Sequence, residues 1–254
     1  MIILLSPAKN LNEARAAGYA TTTPRFIADA QELIKTLRSW TARDISDVMK
    51  VSGKIAELNV ERFAAWQPAS GADQAAARMF DGDVYRHLEA HTLSDEGAAD
   101  AAHRLRILSG LYGLLRPTDD VCAYRLEMGR KLLGHPAGTL YKFWGSKIAQ
   151  AIVEDAKAAK TDTLLNLASD EYSKSVDLSA LGALRVVTPR FEEERNGVRK
   201  VISFSAKRAR GAMARWALEN GITDPADLPG FEAGGYAYDV DTSTPDKPVF
   251  LKAG

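Results

Sequence analysis

The spacing of hydrophobic residues predicts helices over most of the first hundred positions. Residues 2–5 form a short apolar run that begins with β-branched side chains, which is typical of a buried strand. Over residues 25–40, apolar positions recur at alternating spacings of four and three, the pattern of an amphipathic helix. Thr41 and Asp44 form an N-capping pattern for a second helix through Lys50, and a third periodic stretch follows. The N-terminal part is therefore predicted to be mainly helical.

After about position 100 the pattern changes to short apolar runs bounded by turn residues, which predict strands. The runs cover residues 105–108, 164–167 and 201–204, with a helical stretch over 141–159. The pair Asn196-Gly197 is a strong hairpin signal, and we expect it to join strands at 185–188 and 198–204 through a loop lengthened by the acidic residues before it. These patterns predict an α/β fold, a single domain over residues 1–254 with a mixed sheet surrounded by helices.

Four apolar runs share one kind of ending, a serine followed by a polar or glycine-rich segment. The four serines are Ser6, Ser109, Ser169 and Ser205. Because ligands of open α/β sheets bind beyond the carboxyl ends of strands, we expect these endings to converge on one pocket. A serine there also caps a helix and leaves backbone N–H groups facing an anion. The alternative is that all four are ordinary turn and cap residues.

The segment after Ser205 predicts an anion site at the start of a helix that runs to about residue 220. Lys207, Arg208 and Arg210 occupy the first two turns of this helix, where cations oppose the helix dipole. No Asp or Glu lies between residues 198 and 218 to offset them. We therefore expect either an anionic ligand at this end or acidic side chains from elsewhere in the fold.

Basic residues are concentrated in the middle of the chain, although the numbers of basic and acidic residues are equal overall. The chain carries 33 Lys and Arg against 33 Asp and Glu, yet residues 101–215 hold 20 basic and 12 acidic residues. Such a basic middle favours an anionic partner. A single cysteine, Cys122, excludes an internal disulfide and fits a cytoplasmic protein. No apolar run approaches the ~18 residues of a membrane span, so we expect no membrane association, and no protein partner can be inferred.

Aromatic residues beside the basic ones favour DNA, duplex or branched, as the anionic partner. Aromatic rings stack on bases, while Lys and Arg bind phosphates. The candidate DNA- or anion-binding residues are Ser6, Lys9, Tyr112, Arg116, Arg125, Lys142, Trp144, Ser169, Lys174, Lys207, Arg208 and Arg210. Tyr172 is a further stacking candidate. We expect the four lysines of this set to share one concave surface.

Seven motifs are distributed over nearly the whole chain. They are Ser-Pro-Ala-Lys at 6–9, Gly-Asp-Val-Tyr at 82–85, Leu-Ser-Gly-Leu-Tyr-Gly-Leu-Leu-Arg-Pro at 108–117, Tyr-Arg-Leu-Glu-Met-Gly at 124–129, Phe-Trp-Gly at 143–145, Asn-Leu-Ala-Ser-Asp-Glu-Tyr at 166–172 and Ile-Ser-Phe-Ser-Ala-Lys-Arg-Ala-Arg-Gly at 202–211. This combination closely resembles the YaaA peroxide-stress-resistance family, and the match runs nearly end to end.

The resemblance implies a bacterial cytoplasmic protein that limits oxidative damage to DNA and protein and is associated with lowered intracellular iron. It also implies a single-domain fold called the cantaloupe fold, with a positively charged cleft and a helix-hairpin-helix element that binds DNA. For that element we favour residues 45–66, which contain two helices and an apolar rhythm. Glu57 stands there where the turn glycine is expected.

A second function remains open for the same cleft, that of an enzyme acting on nucleotides or damaged nucleic acid in the manner of a glycosylase or lyase. Asp170 or Glu171 would then serve as general acid or base, and Lys9 as an amine nucleophile. Direct iron binding has less support, because His87 and His91 lie four residues apart without a dense cluster of ligands. We therefore assign no metal ligands and expect no cofactor.

Overall fold

The computed structural model describes residues 1–14, 21–68 and 74–253. The strands in chain order are β1 (Ile2–Leu5), β2 (Gln74–Ala75), β3 (Leu105–Ser109), β4 (Gly113–Leu115), β5 (Asp120–Val121), β6 (Thr163–Asn166), β7 (Arg185–Val187), β8 (Arg190–Arg195), β9 (Val198–Lys200), β10 (Tyr236–Tyr238) and β11 (Val249–Ala253). The α-helices are α1 (Ile27–Leu37), α2 (Ala42–Met49), α3 (Gly53–Ala65), α4 (Ala76–Met79), α5 (Asp83–Leu88), α6 (Asp95–Arg104), α7 (Leu140–Trp144), α8 (Lys147–Ala158), α9 (Asp170–Ser173) and α10 (Ser203–Glu219). Short 3₁₀ helices cover Ala90–Thr92, Leu178–Leu181 and Pro225–Gly230.

β1 lies at the centre of a five-stranded mixed sheet with the order β4-β3-β1-β6-β7. It pairs in parallel with both neighbours, and its Ile3 lies opposite Leu105 of β3 and Leu165 of β6. All four residues of β1 are buried, which explains why the strand is apolar at consecutive positions. Because β1, β3 and β6 are parallel, their carboxyl ends lie at the same edge of the sheet. β2 and β5 form a separate antiparallel pair.

A second sheet, with the order β10-β11-β8-β9, contains the predicted hairpin. Its turn is Asn196-Gly197, and both residues have positive φ, 53° and 73°, as a two-residue type I′ turn requires. The strands differ from those expected. The acidic residues 192–194 belong to β8, which pairs with β9, while residues 185–187 form β7 of the other sheet. The loop therefore has two residues, and the expectation of a longer one is wrong.

The predicted N-terminal helices are confirmed. α1 covers most of residues 25–40 and turns its apolar positions into the core. At the start of α2 the hydroxyl of Thr41 accepts a hydrogen bond from the N–H of Asp44, whose carboxylate accepts one from the N–H of Thr41. The helical stretch 141–159 forms α7 and α8, which are separated at Gly145, where φ is 47°.

The strand expected at residues 201–204 is wrong, because α10 begins at Ser203. Val201 and Phe204 are exposed, so this apolar run does not belong to the interior of a sheet. Ser205 consequently lies inside the first turn of α10 rather than at its N-cap. The basic residues still occupy the first turns of the helix, as predicted.

One hydrophobic core joins elements from both ends of the described chain, from Met1 to Phe250, and the mixed α/β class is confirmed. Among the helices of the described ranges, none combines the length and apolar character needed to cross a membrane.

Candidate functional site

A cleft of about 670 Å³ lies at the carboxyl ends of β1 and β6. Four segments line it: residues 6–10 after β1, residues 82–86 at the start of α5, residues 167–172 around the start of α9, and one face of α10. This is the edge at which ligands of parallel sheets bind. Of the described surface, we treat this cleft as the candidate site.

The serines after β1 and β6 connect the two strand ends directly. The Oγ of Ser6 accepts a hydrogen bond of 2.9 Å from the N–H of Ser169, and the two hydroxyl oxygens lie 3.3 Å apart. The other two serine endings do not reach the cleft. Ser109 is fully buried and accepts a hydrogen bond from the N–H of Tyr112 where the chain turns back into β4, and Ser205 lies beside Glu193 of β8. The four expected endings therefore supply two cleft residues.

Two buried tyrosines contribute to the lining of the cleft. The hydroxyl of Tyr85 donates a hydrogen bond of 2.8 Å to the carbonyl of Ser6, which holds the start of α5 against the loop after β1. Tyr172 lies on α9 and is buried as well. Burial raises the pKa of both hydroxyls well above the ordinary value of 10.0, so both remain neutral at physiological pH.

Glycines explain how closely α10 approaches the cleft. A Cβ at Gly211 of α10 would lie 2.0 Å from the carbonyl oxygen of Val84 in α5, so only glycine permits this packing distance. A Cβ at Gly82 would lie 3.0 Å from the Cβ of Ala8, which brings α5 against the loop after β1. The two close approaches place one face of α10 across from the strand ends.

α10 supplies two cations that have no hydrogen bond or ion pair with any described residue, Lys207 and Arg210. Lys207 is exposed at the cleft, while Arg210 is partly buried there. Burial lowers the pKa of the Arg210 guanidinium from its ordinary value, an effect that Asp170 opposes across the cleft. A guanidinium has five N–H donors, and none of those of Arg210 is taken by a described residue. The geometry of Arg210 therefore suits an oxyanion ligand.

Three carboxylates share the cleft with these cations. Asp83, in the first turn of α5, lies 3.5 Å from the Nε of Arg208, so an acid from elsewhere in the fold compensates this arginine. Glu171 accepts a hydrogen bond of 3.1 Å from the N–H of Gly129. Asp170 is exposed and makes no ion pair or side-chain hydrogen bond with a described residue. The cleft is therefore mixed in charge.

Next to the cleft, the side chains of three cationic residues lie near one buried carboxylate. Glu127 is 3% exposed, and its oxygens lie 3.8 Å from the Nζ of Lys9, 3.0 Å from Arg125 and 3.7 Å from Arg130. Of these, Lys9 also lines the cleft, and its side chain is mostly exposed. One negative charge among three positive ones leaves a local excess of two, which favours an anion at this side of the site.

Seven of the candidate residues lie outside the cleft lining, and two of them, Arg125 and Arg208, are next to it through their ion pairs with Glu127 and Asp83. Trp144 and Tyr112 are buried in the core, where the indole N–H of Trp144 donates to the carbonyl of Gly110 and the hydroxyl of Tyr112 accepts from Trp66. A buried ring cannot stack on a base, so neither Trp144 nor Tyr112 belongs to the site. Arg116, Lys142 and Lys174 are exposed but do not line the cleft. Of the four lysines expected on one concave surface, Lys9 and Lys207 share it, and the expectation for the other two is wrong.

The cleft also contains residues to which sequence analysis gave no role: Asp83, Tyr85 and Arg86. All three follow Gly82, and Arg86 forms a two-point hydrogen bond with Asp81 at 2.8 and 2.9 Å. The Gly-Asp-Val-Tyr motif was the available signal. The motif by itself did not show the role, because α5 reaches the cleft through contacts with two distant segments, α10 and the loop after β1.

The described residues contain no group of three or more His, Cys, Asp and Glu side chains that could hold a metal ion. His87 and His91, considered above for iron, lie near the end of α5 and in the 3₁₀ helix after it. The Nδ1 of His87 lies 2.9 Å from the carbonyl of Asp83. We assign no metal ligand to this part of the chain.

Residues 45–66 form two packed helices, α2 and α3, joined at 50–52. The turn is at Lys50, which has φ of 55°, and Glu57 lies within α3, so the expectation that Glu57 occupies the turn position is wrong. Ser52 does not cap α3 with its side chain. The first N–H groups of α3 thus lack a side-chain cap, beside exposed Lys50 and Lys54.

Sequence comparison finds relatives over the whole chain. Residues 1–242 match the family model described as peroxide stress protein YaaA. A UPF0246 protein of Ruegeria sp. (strain TM1040) is 60% identical over 99% of this chain and 100% of its own length. UPF0246 proteins of Cereibacter sphaeroides (strain ATCC 17029) and Alcanivorax borkumensis are 49% and 46% identical, over 100% and 99% of this chain and 100% and 98% of their own.

Proposed function

Because the chain belongs to the family of peroxide stress protein YaaA, we propose that it acts in the peroxide stress response by binding DNA through the cleft at the ends of β1 and β6. In this proposal Lys9, Lys207 and Arg210 contact phosphates. Ser6 and Ser169 hold the two strand ends together beneath them.

The observation that carries the proposal is the position of Arg210. Its side chain is partly buried, lines the cleft, and has no hydrogen-bond acceptor among the described residues. Arginine binds phosphate oxygens with two parallel N–H groups, which would satisfy these donors. Lys207, three residues earlier on the same helix face, is placed to bind an adjoining phosphate as a point charge.

The test compares binding to duplex and branched DNA at several salt concentrations. We expect the affinity of the unaltered protein to fall steeply between 50 and 200 mM salt, because each neutralised phosphate releases counterions. The double variant Lys207→Gln/Arg210→Gln should bind about tenfold more weakly and show a salt slope smaller by about two, since two phosphate contacts are lost.

A matched control removes two positive charges outside the cleft. The double variant Arg116→Gln/Lys142→Gln has the same net charge as the cleft variant, and both of its positions are exposed. It should keep the original salt slope. Binding that does not depend on salt, or an equal loss in the two double variants, would contradict the proposal.

We place a second phosphate contact at the loop between α2 and α3, the helix-hairpin-helix element of the proposal. It is supported by the exposed Lys50 and Lys54 beside the uncapped start of α3, because free N–H groups at a helix N-terminus attract anions. In the same assay, the variant Lys50→Gln/Lys54→Gln separates this contact from that of the cleft.

DNA binding also supplies a physical route to lower damage. Phosphates that are occupied by Lys and Arg no longer hold condensed cations, and Fe(II) is the cation that converts peroxide into hydroxyl radical. Bound protein would thus keep iron and radical chemistry away from the strand. We keep the association with lowered intracellular iron in the proposal, although no described residue is assigned as an iron ligand.

The second candidate function, an enzyme acting on nucleotides or damaged nucleic acid, is supported by one arrangement. Asp170 lies in the same cleft as Arg210 and Lys9, so a carboxylate faces the proposed phosphate site. Incubation of the protein with DNA that contains an abasic site or an oxidised base tests it. Release of a base or a cleaved strand, lost in Asp170→Asn while DNA affinity remains, would distinguish the enzyme from the binder.

A further inference from the structure

Phe204 is an aromatic side chain in an unusual place. It lies in the first turn of α10 and is 51% exposed, and it is the only aromatic residue among the exposed large hydrophobic residues that the structure describes. A single exposed apolar side chain is common on a protein surface, so the residues around Phe204 decide whether it has a role. Its neighbours on the helix indicate what it binds.

Phe204 does not itself line the cleft, but Arg208 connects its ring to the cleft lining. On α10 it precedes Lys207 by three residues and Arg208 by four, so the three side chains share one helix face. The guanidinium carbon of Arg208 lies 5.3 Å from the centre of the Phe204 ring, and the Nε of the same arginine lies 3.5 Å from Asp83 in the cleft lining. The ring thus adjoins the proposed phosphate site.

The surroundings of the ring favour an anionic strand. The first turn of α10 contains no acidic residue, and the next turns carry Lys207 and Arg210 without ion pairs among the described residues. A ring beside such cations is the arrangement by which proteins hold an unpaired nucleotide, with the base on the ring and its phosphate on the cations. Inside duplex DNA both faces of each base are covered by neighbouring bases, so the ring requires an unpaired one.

We propose that Phe204 stacks on an unpaired nucleobase of the DNA strand whose phosphates occupy the cleft. This inference rests on the proposed function and adds the class of DNA that the site engages most fully: a strand with at least one unpaired nucleotide, in a bulge, a bubble or a junction. A fully paired duplex would contact the cations alone.

The test uses two probes of equal length, a paired duplex and a duplex with one unpaired thymidine, and measures the affinity of each. Phe204→Ala should bind the probe with the unpaired nucleotide at least about fivefold more weakly, the loss expected for one base stack, and bind the paired duplex within about twofold of the original. Phe204→Trp should restore the affinity for the first probe. The control is Leu178→Ala, which should bind both probes as the original does, since Leu178 is 67% exposed and lies in the 3₁₀ helix Leu178–Leu181 rather than on α10.

Photocrosslinking gives a readout that a structural role would not produce. With 5-iodouracil at the unpaired position, illumination should attach the probe to the peptide that contains Phe204, and this product should be absent with iodouracil in the paired duplex. A crosslink to another segment would overturn the inference. So would a Phe204→Ala variant that binds both probes as the unaltered protein does, or loses both equally.

These results separate the inference from the proposed function. If the unaltered protein binds both probes with a steep salt dependence but Phe204→Ala changes nothing, DNA binding is retained and stacking is rejected. If the unaltered protein binds neither probe, the proposed function fails, and the stacking role fails with it.

Discussion

Replacing Gly211 by alanine tests whether the close approach of α10 to α5 positions the cleft cations. The added Cβ would lie 2.0 Å from the carbonyl oxygen of Val84, whereas an ordinary contact begins at 3.4 Å. The atom it meets belongs to the backbone, so no side-chain rotation can relieve the clash. α10 must therefore move away from α5 by about 1 Å or more, and Lys207 and Arg210 must move with it.

The magnitude follows from two opposing effects. Alanine in a helix interior is favoured over glycine by about 1 kcal/mol, while overpacking costs about 1–3 kcal/mol and reaches its upper end when backbone must shift. We expect a net loss near 2 kcal/mol, which for a chain of this length lowers Tm by about 4–8 °C. DNA affinity should fall as well, because the cations are displaced from the strand ends.

Thermal unfolding and DNA titration of Gly211→Ala measure both effects. For the thermal unfolding the matched control is Gly53→Ala at the start of α3, where an added Cβ meets nothing within 4 Å. It should be as stable as the original or slightly more so. A Gly211→Ala variant with unchanged Tm and unchanged DNA affinity would refute the packing argument.

Two further predictions concern residues outside the cleft, Asp155 and Gly197. Burial raises the pKa of Asp155, but hydrogen bonds from Arg106 at 2.6 Å and Arg25 at 2.5 Å hold that pKa below its ordinary 3.8. Asp155→Asn should therefore lower the free energy of unfolding by about 3 kcal/mol at pH 7, and urea unfolding should show this difference shrinking below about pH 4, because a depressed pKa stabilises only the ionised form. A constant difference down to pH 2 would contradict the assignment. Gly197→Ala should destabilise the β8–β9 hairpin by about 1 kcal/mol because φ is 73° there, with DNA affinity unchanged; equal stability in chemical denaturation would argue against a strained turn.

Local sequence signals were sufficient where an element depends on its own residues. The capping pair Thr41 and Asp44, the turn Asn196-Gly197 and the basic first turns of α10 were all predicted and are present. The run at 201–204 was misassigned because apolar content alone does not distinguish a buried strand from the exposed start of a helix.

The candidate site was predictable in part. Ser6 and Ser169 were expected together because both follow parallel strands, and they are hydrogen-bonded to each other. Ser109 follows a strand of the same kind, yet it is buried, because the chain reverses there into an antiparallel neighbour. A serine after a strand therefore indicates a strand end without indicating whether that end is open to solvent.

The amino-acid order alone was enough to establish the α/β class, the basic middle of the chain and the family, because these depend on periodicity, local charge and motifs that are read along the chain. Which cations meet in one cleft was settled by the folded arrangement: Lys9 and Lys207 are 198 positions apart, and Lys142 and Lys174, equally basic, lie elsewhere. The physical reason is that charges combine across space, and the pairing of β1 with β6 and the packing of glycine in α10 against α5 determine which ones are near enough to act together.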